Sequence, residues 1–281
     1  MTIGAFPKLA TGRAPSSPSP ELLVQPQPVE SREILGTRVD GTNYAGAVSL
    51  IASWARLGVP RYVCVSTVHM VMEGYDDPEY RKIVNGADLV TSDGMPLVWA
   101  LRLLGARASK RVYGPDLTPL LCEHAAAEGL PVGFYGGSPE ALDAMIANLQ
   151  AAYPSLNVAY RYSPPFRPLT NEEARQEIEE MRTSGARVIF VGLGCPKQER
   201  WMQAHRDELD AVLVGVGAAF DYVGKTKAQA PAFMQAKGLE WLFRLVTEPR
   251  RLWRRYLYHN PRFIGLFCAQ AARGLVRGER S

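Results

Sequence analysis

Short apolar runs alternate with amphipathic segments of helical length through most of this sequence. The apolar runs cover residues 62–65, 88–91, 132–135, 158–160, 188–191 and 211–214. The amphipathic segments cover residues 44–57, 96–104, 117–128, 139–152, 171–184 and 196–207. Strands that alternate with helices of this length form βαβ units, in which the strands are parallel. The sequence therefore predicts an α/β fold with a mainly parallel, Rossmann-like sheet and helices on both faces.

Both ends of the chain differ in character from this α/β region. Residues 1–33 are rich in proline and serine, lack the apolar segment of a signal peptide and predict a disordered leader. The alternating pattern ends near Ala230, so we expect an α/β domain over residues 34–230 and a helical appendage over residues 231–281. No run of about 18 apolar residues occurs, so no membrane-spanning helix is expected.

The expected appendage carries most of the positive excess of the chain, whose formal net charge is +4. Between residues 238 and 262, six arginines and two glutamates are interspersed with tryptophan, tyrosine, phenylalanine and leucine. So many aromatic side chains indicate a partner surface rather than a merely solvated face. The sequence leaves three partners open for this segment, namely the rest of the protein, a nucleic acid and an anionic membrane. Basic amphipathic helices with tryptophan and leucine are typical of membrane surfaces.

The clearest candidate for acid–base chemistry is Asp93. It follows the apolar run at 88–91 and precedes Gly94 and Pro96, so a helix is expected to start directly after it. Ligands bind at the carboxyl ends of parallel strands, where a carboxylate can act as a general base toward a hydroxyl group. The segment alone does not distinguish this role from that of a helix cap.

Glycine turns follow four of the predicted strands, at residues 94, 136–137, 192–194 and 215–217. Main-chain N–H groups in such turns can approach a phosphate, so we expect a phosphate-bearing ligand near Gly136 and Gly192, although each turn alone could be structural. Gln198 and Asp221 add polar groups to the same region. A nicotinamide-dependent oxidoreductase would need a GxGxxG turn and an acidic residue about 20 positions later, and the sequence has neither.

The sequence contains no DxD triplet to hold a divalent ion against a nucleotide diphosphate. Arginine would then have to neutralise such a ligand, because its guanidinium group binds phosphate oxygens in pairs and stays charged. The available arginines are Arg111, Arg244, Arg251 and Arg254. We expect neither a metal nor a cofactor. His69 is a further candidate, or else a histidine that only satisfies a local hydrogen bond.

Six segments together resemble the TagA/WecG/CpsF family of glycosyltransferases. They are ADLVTSDG (87–94), RVYGPD (111–116), GFYGGSPE (133–140), VGLGCPKQE (191–199), GVGAAFDYVGK (215–225) and GLEWLFRLVTEPRRLWRRY (238–256). The resemblance implies an inverting transfer from a UDP-sugar donor to a polyprenyl-diphosphate-linked acceptor in cell-surface polysaccharide synthesis. It also implies a peripheral enzyme on an anionic membrane surface, at the cytoplasmic face of the inner membrane, with no nucleic-acid partner.

The resemblance further implies roles for individual residues. Asp93 matches the proposed base of the family, and Arg111 and Gln198 match residues at the donor site. Asp221 matches the aspartate of the GAxFD segment. The family's C-terminal arginines, which close over the diphosphate and help to hold the enzyme at the membrane, match Arg244, Arg251 and Arg254.

One segment departs from the family pattern. Where members often have Thr-Pro-Asn, this chain has Val65, Ser66 and Thr67. Thr67 can hydrogen-bond a sugar in place of the asparagine, Val65 cannot, and His69 lies two residues further on. The departure leaves the sugar open among hexoses, N-acetylhexosamines and uronic acids. The departure also leaves an alternative function open, that of a non-catalytic nucleotide-sugar-binding or membrane-scaffold protein of the same fold. A homo-oligomer stays open as well.

Overall fold

The computed structural model describes residues 29–277, without the side chains of residues 232, 236 and 275–277. Most of the expected leader, residues 1–28, lies outside this range. The strands are β1 (Glu30–Ile34), β2 (Thr37–Gly41), β3 (Arg61–Ser66), β4 (Leu89–Ser92), β5 (Val132–Gly136), β6 (Val158–Tyr162), β7 (Val188–Gly192) and β8 (Val212–Gly215).

The helices before residue 230 are α1 (Tyr44–Leu57), α2 (Val68–Asp76), α3 (Pro78–Asn85), α4 (Met95–Leu103), α5 (Gly114–Glu128), α6 (Pro139–Ala152), α7 (Asn171–Thr183), α8 (Lys197–His205) and α9 (Ala219–Val223), with a 3₁₀ turn at Arg206–Glu208. The later helices are α10 (Ala232–Ala236), α11 (Glu240–Thr247), α12 (Pro249–Trp253) and α13 (His259–Arg277). A π-helical turn, Arg254–Tyr258, joins α12 to α13.

Six strands form one parallel sheet in the order β4-β3-β8-β7-β5-β6. The strands are apolar on both faces because helices cover both. On β3, Val63 and Val65 point into one core, and Tyr62 and Cys64 point into the other. The first core lies under α1, α5, α6 and α9, and the second under α2, α3, α7 and α8. The expected α/β fold is confirmed.

A β-hairpin precedes the sheet and was not predicted from the sequence. Strands β1 and β2 pair antiparallel, so regular structure within residues 29–277 already includes Glu30, four residues before the expected start at Ile34. The turn is made by Leu35 and Gly36, which both have positive φ angles, 52° and 84°. Strand β1 is short and largely exposed, so it lacks the apolar run by which the other strands were found.

The C-terminal helices pack against the hairpin and α2. Phe263 and Phe267 of α13 are buried in a third core together with residues of β1, β2, α2 and α4. The Gln270 side chain bonds to the main chain of the hairpin, at Glu33 and Leu35, with both distances 2.8 Å. This segment is therefore helical, as expected, and it is also docked along much of its length.

Candidate functional site

A cleft of about 820 Å³ lies at the carboxyl edge of the sheet. Its lining includes turns that follow β5, β7 and β8, together with side chains from α9, α11, α12 and the π-helical turn. The candidate residues that line it are Thr67, Asp93, Gly136, Gly192, Gln198, Asp221, Arg244 and Arg251. The sheet edge and the C-terminal helices therefore bring most of the sequence-based candidates to one place.

A second, smaller cavity of about 90 Å³ adjoins this cleft. Its lining includes two further candidates, Arg111 and His69. Both cavities are lined by Thr67, Asp93, Arg244 and Arg255. Asp93 therefore lies at the junction of the two cavities and can face a ligand in either one.

Asp93 directly follows β4, where its main-chain N–H donates to the carbonyl of Ser66 at 2.7 Å. The next residue, Gly94, occupies the N-cap position of α4 with φ 102°, and no side chain caps that helix. The role of a helix cap, which the sequence left open for Asp93, is therefore not the one seen. Its carboxylate accepts instead from Nη2 of Arg111 at 3.2 Å.

Arg111 is shared between two carboxylates. Its Nη2 also donates to Oε2 of Glu240 on α11, at 2.5 Å, and its guanidinium group lies 4.0 Å from the centre of the Tyr113 ring. Burial raises the pKa of Asp93 to about 6, an effect opposed by the charge of Arg111 and reinforced by that of Glu240. Asp93 is therefore a stronger base than an exposed aspartate and is still largely ionised at neutral pH.

Arg244 and Arg255 are largely buried cations. The Nε atoms of both are buried without a hydrogen-bond partner, and within residues 29–277 neither forms an ion pair with a carboxylate. Among the described residues, Arg255 donates one side-chain hydrogen bond, to the Thr67 hydroxyl at 3.4 Å, and burial lowers its pKa. Burying a guanidinium group without a counter-ion is costly, so this pair is suited to an anionic ligand.

Among the expected arginines, Arg254 lies outside both cavities, and its neighbour Arg255 lies inside them. Arg254 is exposed and lines neither cavity, whereas Arg255 lines both. Arg251 lines the cleft but is exposed and pairs with Glu248 at 2.6 Å. Sequence reasoning missed Arg255, although its spacing of four residues from Arg251 places the two on one side of a helix.

The glycines of the cleft have a packing role that the sequence did not reveal. A Cβ atom on Gly136, whose φ is +128°, would lie 2.6 Å from the main chain of Gly192. A Cβ atom on Gly192 would lie 2.5 Å from the ring of Phe220. Packing alone therefore requires these two glycines, although both also line the cleft.

Gln198 and its neighbour Glu199 form a buried polar network below the cleft. The Gln198 amide donates from Nε2 to Glu199 Oε1 at 2.6 Å, and Tyr80 donates its hydroxyl to Glu199 Oε2 at 3.0 Å. The Oε1 atom of Gln198 is buried without a partner, and the residue lines the cleft. Glu199 therefore fixes the amide with its acceptor oxygen available to a ligand.

Two other candidates are held by neighbours. Asp221 lines the cleft and pairs with Lys227 at 3.0 Å. His69 lines the small cavity, where burial lowers its pKa to about 3, so the ring is neutral at ordinary pH. Its Nδ1 lies 3.5 Å from Glu73 Oε1.

The C-terminal helices also expose apolar side chains. Leu242, Val246, Trp253 and Leu257 are each at least 40% exposed. Tyr256 is buried, however, so not every aromatic side chain of this segment is on the surface. None of the helices within residues 29–277 has both the length and the apolar character needed to cross a bilayer.

One comparison with known proteins bears on this site. The sequence profile of the "Glycosyl transferase WecG/TagA/CpsF family" matches residues 32–277, which include the whole parallel sheet, the C-terminal helices and all of the hairpin except its first two residues. The match covers the cleft, the small cavity and every candidate site residue. The chain therefore belongs to the WecG/TagA/CpsF family of glycosyltransferases.

Proposed function

We propose that the chain is an inverting, metal-independent glycosyltransferase that moves a sugar from a UDP-sugar to a polyprenyl-diphosphate-linked saccharide in cell-surface polysaccharide synthesis. The position of Asp93 carries this proposal, because its carboxylate lies where the large cleft meets the small cavity. The large cleft is wide enough for a nucleotide sugar. The small cavity is then the route by which the acceptor hydroxyl reaches the base.

In this mechanism Asp93 takes the proton of the acceptor hydroxyl as the oxygen attacks the anomeric carbon. A transfer with inversion needs the base and the leaving group on opposite sides of that carbon. Arg244 and Arg255 stabilise the negative charge that develops on the departing UDP. The Oε1 atom of Gln198, which lacks a partner, accepts a hydrogen bond from an N–H or O–H group of the donor.

We also propose that the enzyme works as a peripheral protein on the cytoplasmic face of the plasma membrane. Exposed Trp253 lies three residues after exposed Arg250, and exposed Leu257 lies three residues after exposed Arg254. Aromatic and aliphatic side chains next to cations bind the boundary of an anionic bilayer. Each basic residue near such a surface contributes about 1 kcal/mol. A lipid-linked acceptor is presented at that same boundary.

The exchange Asp93→Asn tests the proposed base. Removing a general base should lower turnover by roughly 10²- to 10⁴-fold, whereas UDP should still bind because its diphosphate meets the arginines. Product formation is followed by mass with a panel of UDP-sugars and a polyprenyl-diphosphate sugar, and UDP affinity by calorimetry. Asp207→Asn, at a largely exposed carboxylate, is the control. Full turnover in Asp93→Asn would exclude Asp93 as the base.

The alternative is a non-catalytic nucleotide-sugar-binding or scaffold protein, and one observation favours it. The Thr67 hydroxyl, which stands at the position of a sugar-binding asparagine, already accepts from Met70 N at 3.3 Å and contacts Arg255. The same panel separates the two functions. UDP binding without UDP release, for every donor and acceptor pair, would favour the non-catalytic protein.

A further inference from the structure

Three side chains capable of metal ligation meet between α2 and α13. His69 and Glu73 are one helical turn apart on α2, and His259 is the first residue of α13. One nitrogen of each histidine and one carboxylate oxygen of Glu73 all lie within 4.8 Å of one another. The two imidazole centres are 5.3 Å apart. Two imidazoles and a carboxylate are the protein ligands of many three-ligand zinc sites.

The free atoms of this cluster are buried and have no other partner. The Nδ1 atoms of His69 and His259 are both inaccessible to solvent and lack a hydrogen-bond partner. A neutral imidazole ring has a lone pair on one nitrogen that a metal ion can bind. Buried polar atoms normally have partners, and two orphaned nitrogens in one cluster call for an explanation.

The separation of His69 from Glu73 fits a shared ion better than a hydrogen bond. Nδ1 of His69 lies 3.5 Å from Oε1 of Glu73, which is longer than an ordinary N–H···O bond of about 2.7–3.2 Å. Metal–ligand bonds of about 2.0–2.2 Å in a tetrahedral site put neighbouring ligand atoms about 3.4 Å apart. The pair therefore already has nearly the spacing of two ligands on one ion.

We propose that His69, Glu73 and His259 bind a divalent transition-metal ion of the zinc class. Imidazole nitrogens favour such an ion over magnesium or calcium, which prefer oxygen ligands. Two cations lie near the cluster. Arg262 is neutralised by Asp76, which accepts from both of its Nη atoms at 2.5 Å. Arg255 opposes a bound cation, and the carboxylate group of Glu73, as a ligand, offsets it.

Such an ion would join the two parts of the protein that form the site. Helix α2 begins directly after Thr67, and α13 directly follows the π-helical turn that carries Arg255. Thr67 and Arg255 line both cavities. A metal bound by α2 and α13 therefore holds the C-terminal helices in the docked position, a structural role in which the ion itself takes no part in the transfer step.

Binding of Co²⁺ to the full chain, without a histidine tag, tests this proposal by visible absorption. We expect one ion per chain and the d–d absorption of a four-coordinate site. His259→Ala and Glu73→Gln should each weaken binding by more than about 10-fold, the smallest effect typical of changing even a residue that supports a ligand. Zn²⁺ should raise Tm of the unaltered protein, and EDTA should reverse the rise.

His124→Ala is the matched control, because His124 and Glu128 have the same spacing of four residues and a 3.0 Å contact on α5. It should bind Co²⁺ as the unaltered protein does. Tm values measured in EDTA show whether each variant is folded. The proposal is overturned if folded His259→Ala and Glu73→Gln bind Co²⁺ with unchanged affinity, if no d–d absorption appears, or if His124→Ala weakens binding equally.

Discussion

Replacing Arg255 with methionine should weaken UDP binding and leave the free protein at least as stable. Arg255 is largely buried, its Nε atom has no partner, and its one hydrogen-bond contact is with the Thr67 hydroxyl at 3.4 Å. In the free protein, the free-energy cost of removing this cation from water is therefore offset by few stabilising interactions. Methionine fills a similar volume without a charge, and such exchanges are often neutral or stabilising.

The expected loss in affinity follows from the hydrogen bonds that the guanidinium group gives to the diphosphate in the proposed complex. A hydrogen bond to a charged group contributes about 1.5–3 kcal/mol, and every 1.4 kcal/mol is about tenfold in Kd. One such bond therefore corresponds to a weakening of roughly 10- to 150-fold for UDP. Arg244 remains in place, so binding should be reduced rather than abolished.

Calorimetric titration with UDP gives the Kd, and thermal unfolding without UDP gives Tm. Arg254→Met is the matched control, because Arg254 is adjacent in sequence, exposed, and lines neither cavity. It should leave both quantities unchanged. The family resemblance includes Arg254, with Arg244 and Arg251, among the arginines that close over the diphosphate. A larger loss of UDP affinity in Arg254→Met than in Arg255→Met would therefore refute the role proposed for Arg255.

Three further results are expected. The logarithm of kcat/KM should rise with pH and level off above about 6, the raised pKa of Asp93. In Glu240→Gln the rise should move to lower pH, because the negative charge of Glu240 raises the pKa of Asp93 and is removed by this exchange. A shift of the rise to higher pH would contradict this account. Gly136→Ala should lower the free energy of unfolding by about 1–3 kcal/mol, since the new Cβ would lie 2.6 Å from main-chain atoms. Gly265→Ala, whose Cβ would have nothing within 4 Å, should raise the free energy of unfolding by about 0.5–1 kcal/mol. Equal Tm values for the two variants would contradict the packing role of Gly136. Trp253→Ser should reduce co-sedimentation with anionic vesicles without changing UDP affinity, and undiminished sedimentation would remove Trp253 from the proposed membrane surface.

The sheet and the strand-end residues could be predicted because each depends on a local pattern. Every parallel strand is a short apolar run, and Asp93 comes directly after such a run. The hairpin was missed because β1 is largely exposed and needs no continuous apolar pattern. The packing role of Gly136 was missed because it depends on the distance to Gly192, on a strand that is 56 residues further along the chain.

The partners of Asp93 could not be derived in the same way. Glu240 reaches Arg111 across 129 positions of sequence, and Arg255 reaches Thr67 across 188. Both contacts depend on how the C-terminal helices dock, and no local pattern encodes that position. The π-helical turn also shifts the register of side chains beyond Trp253. The sequence analysis therefore named Arg254 and missed Arg255, which lines both cavities.

The same docked helices govern both halves of the proposed chemistry. They carry Arg244 and Arg255, which face the leaving group, and Glu240, which competes with Asp93 for Arg111. Burial and Glu240 both raise the pKa of Asp93. If these helices were undocked, Asp93 would meet water and pair with Arg111 alone, so its pKa would fall and it would be a weaker base. Undocking would thus lower the basicity of Asp93 and also remove the arginines that stabilise the leaving group. The proposed sugar transfer therefore requires the docked arrangement.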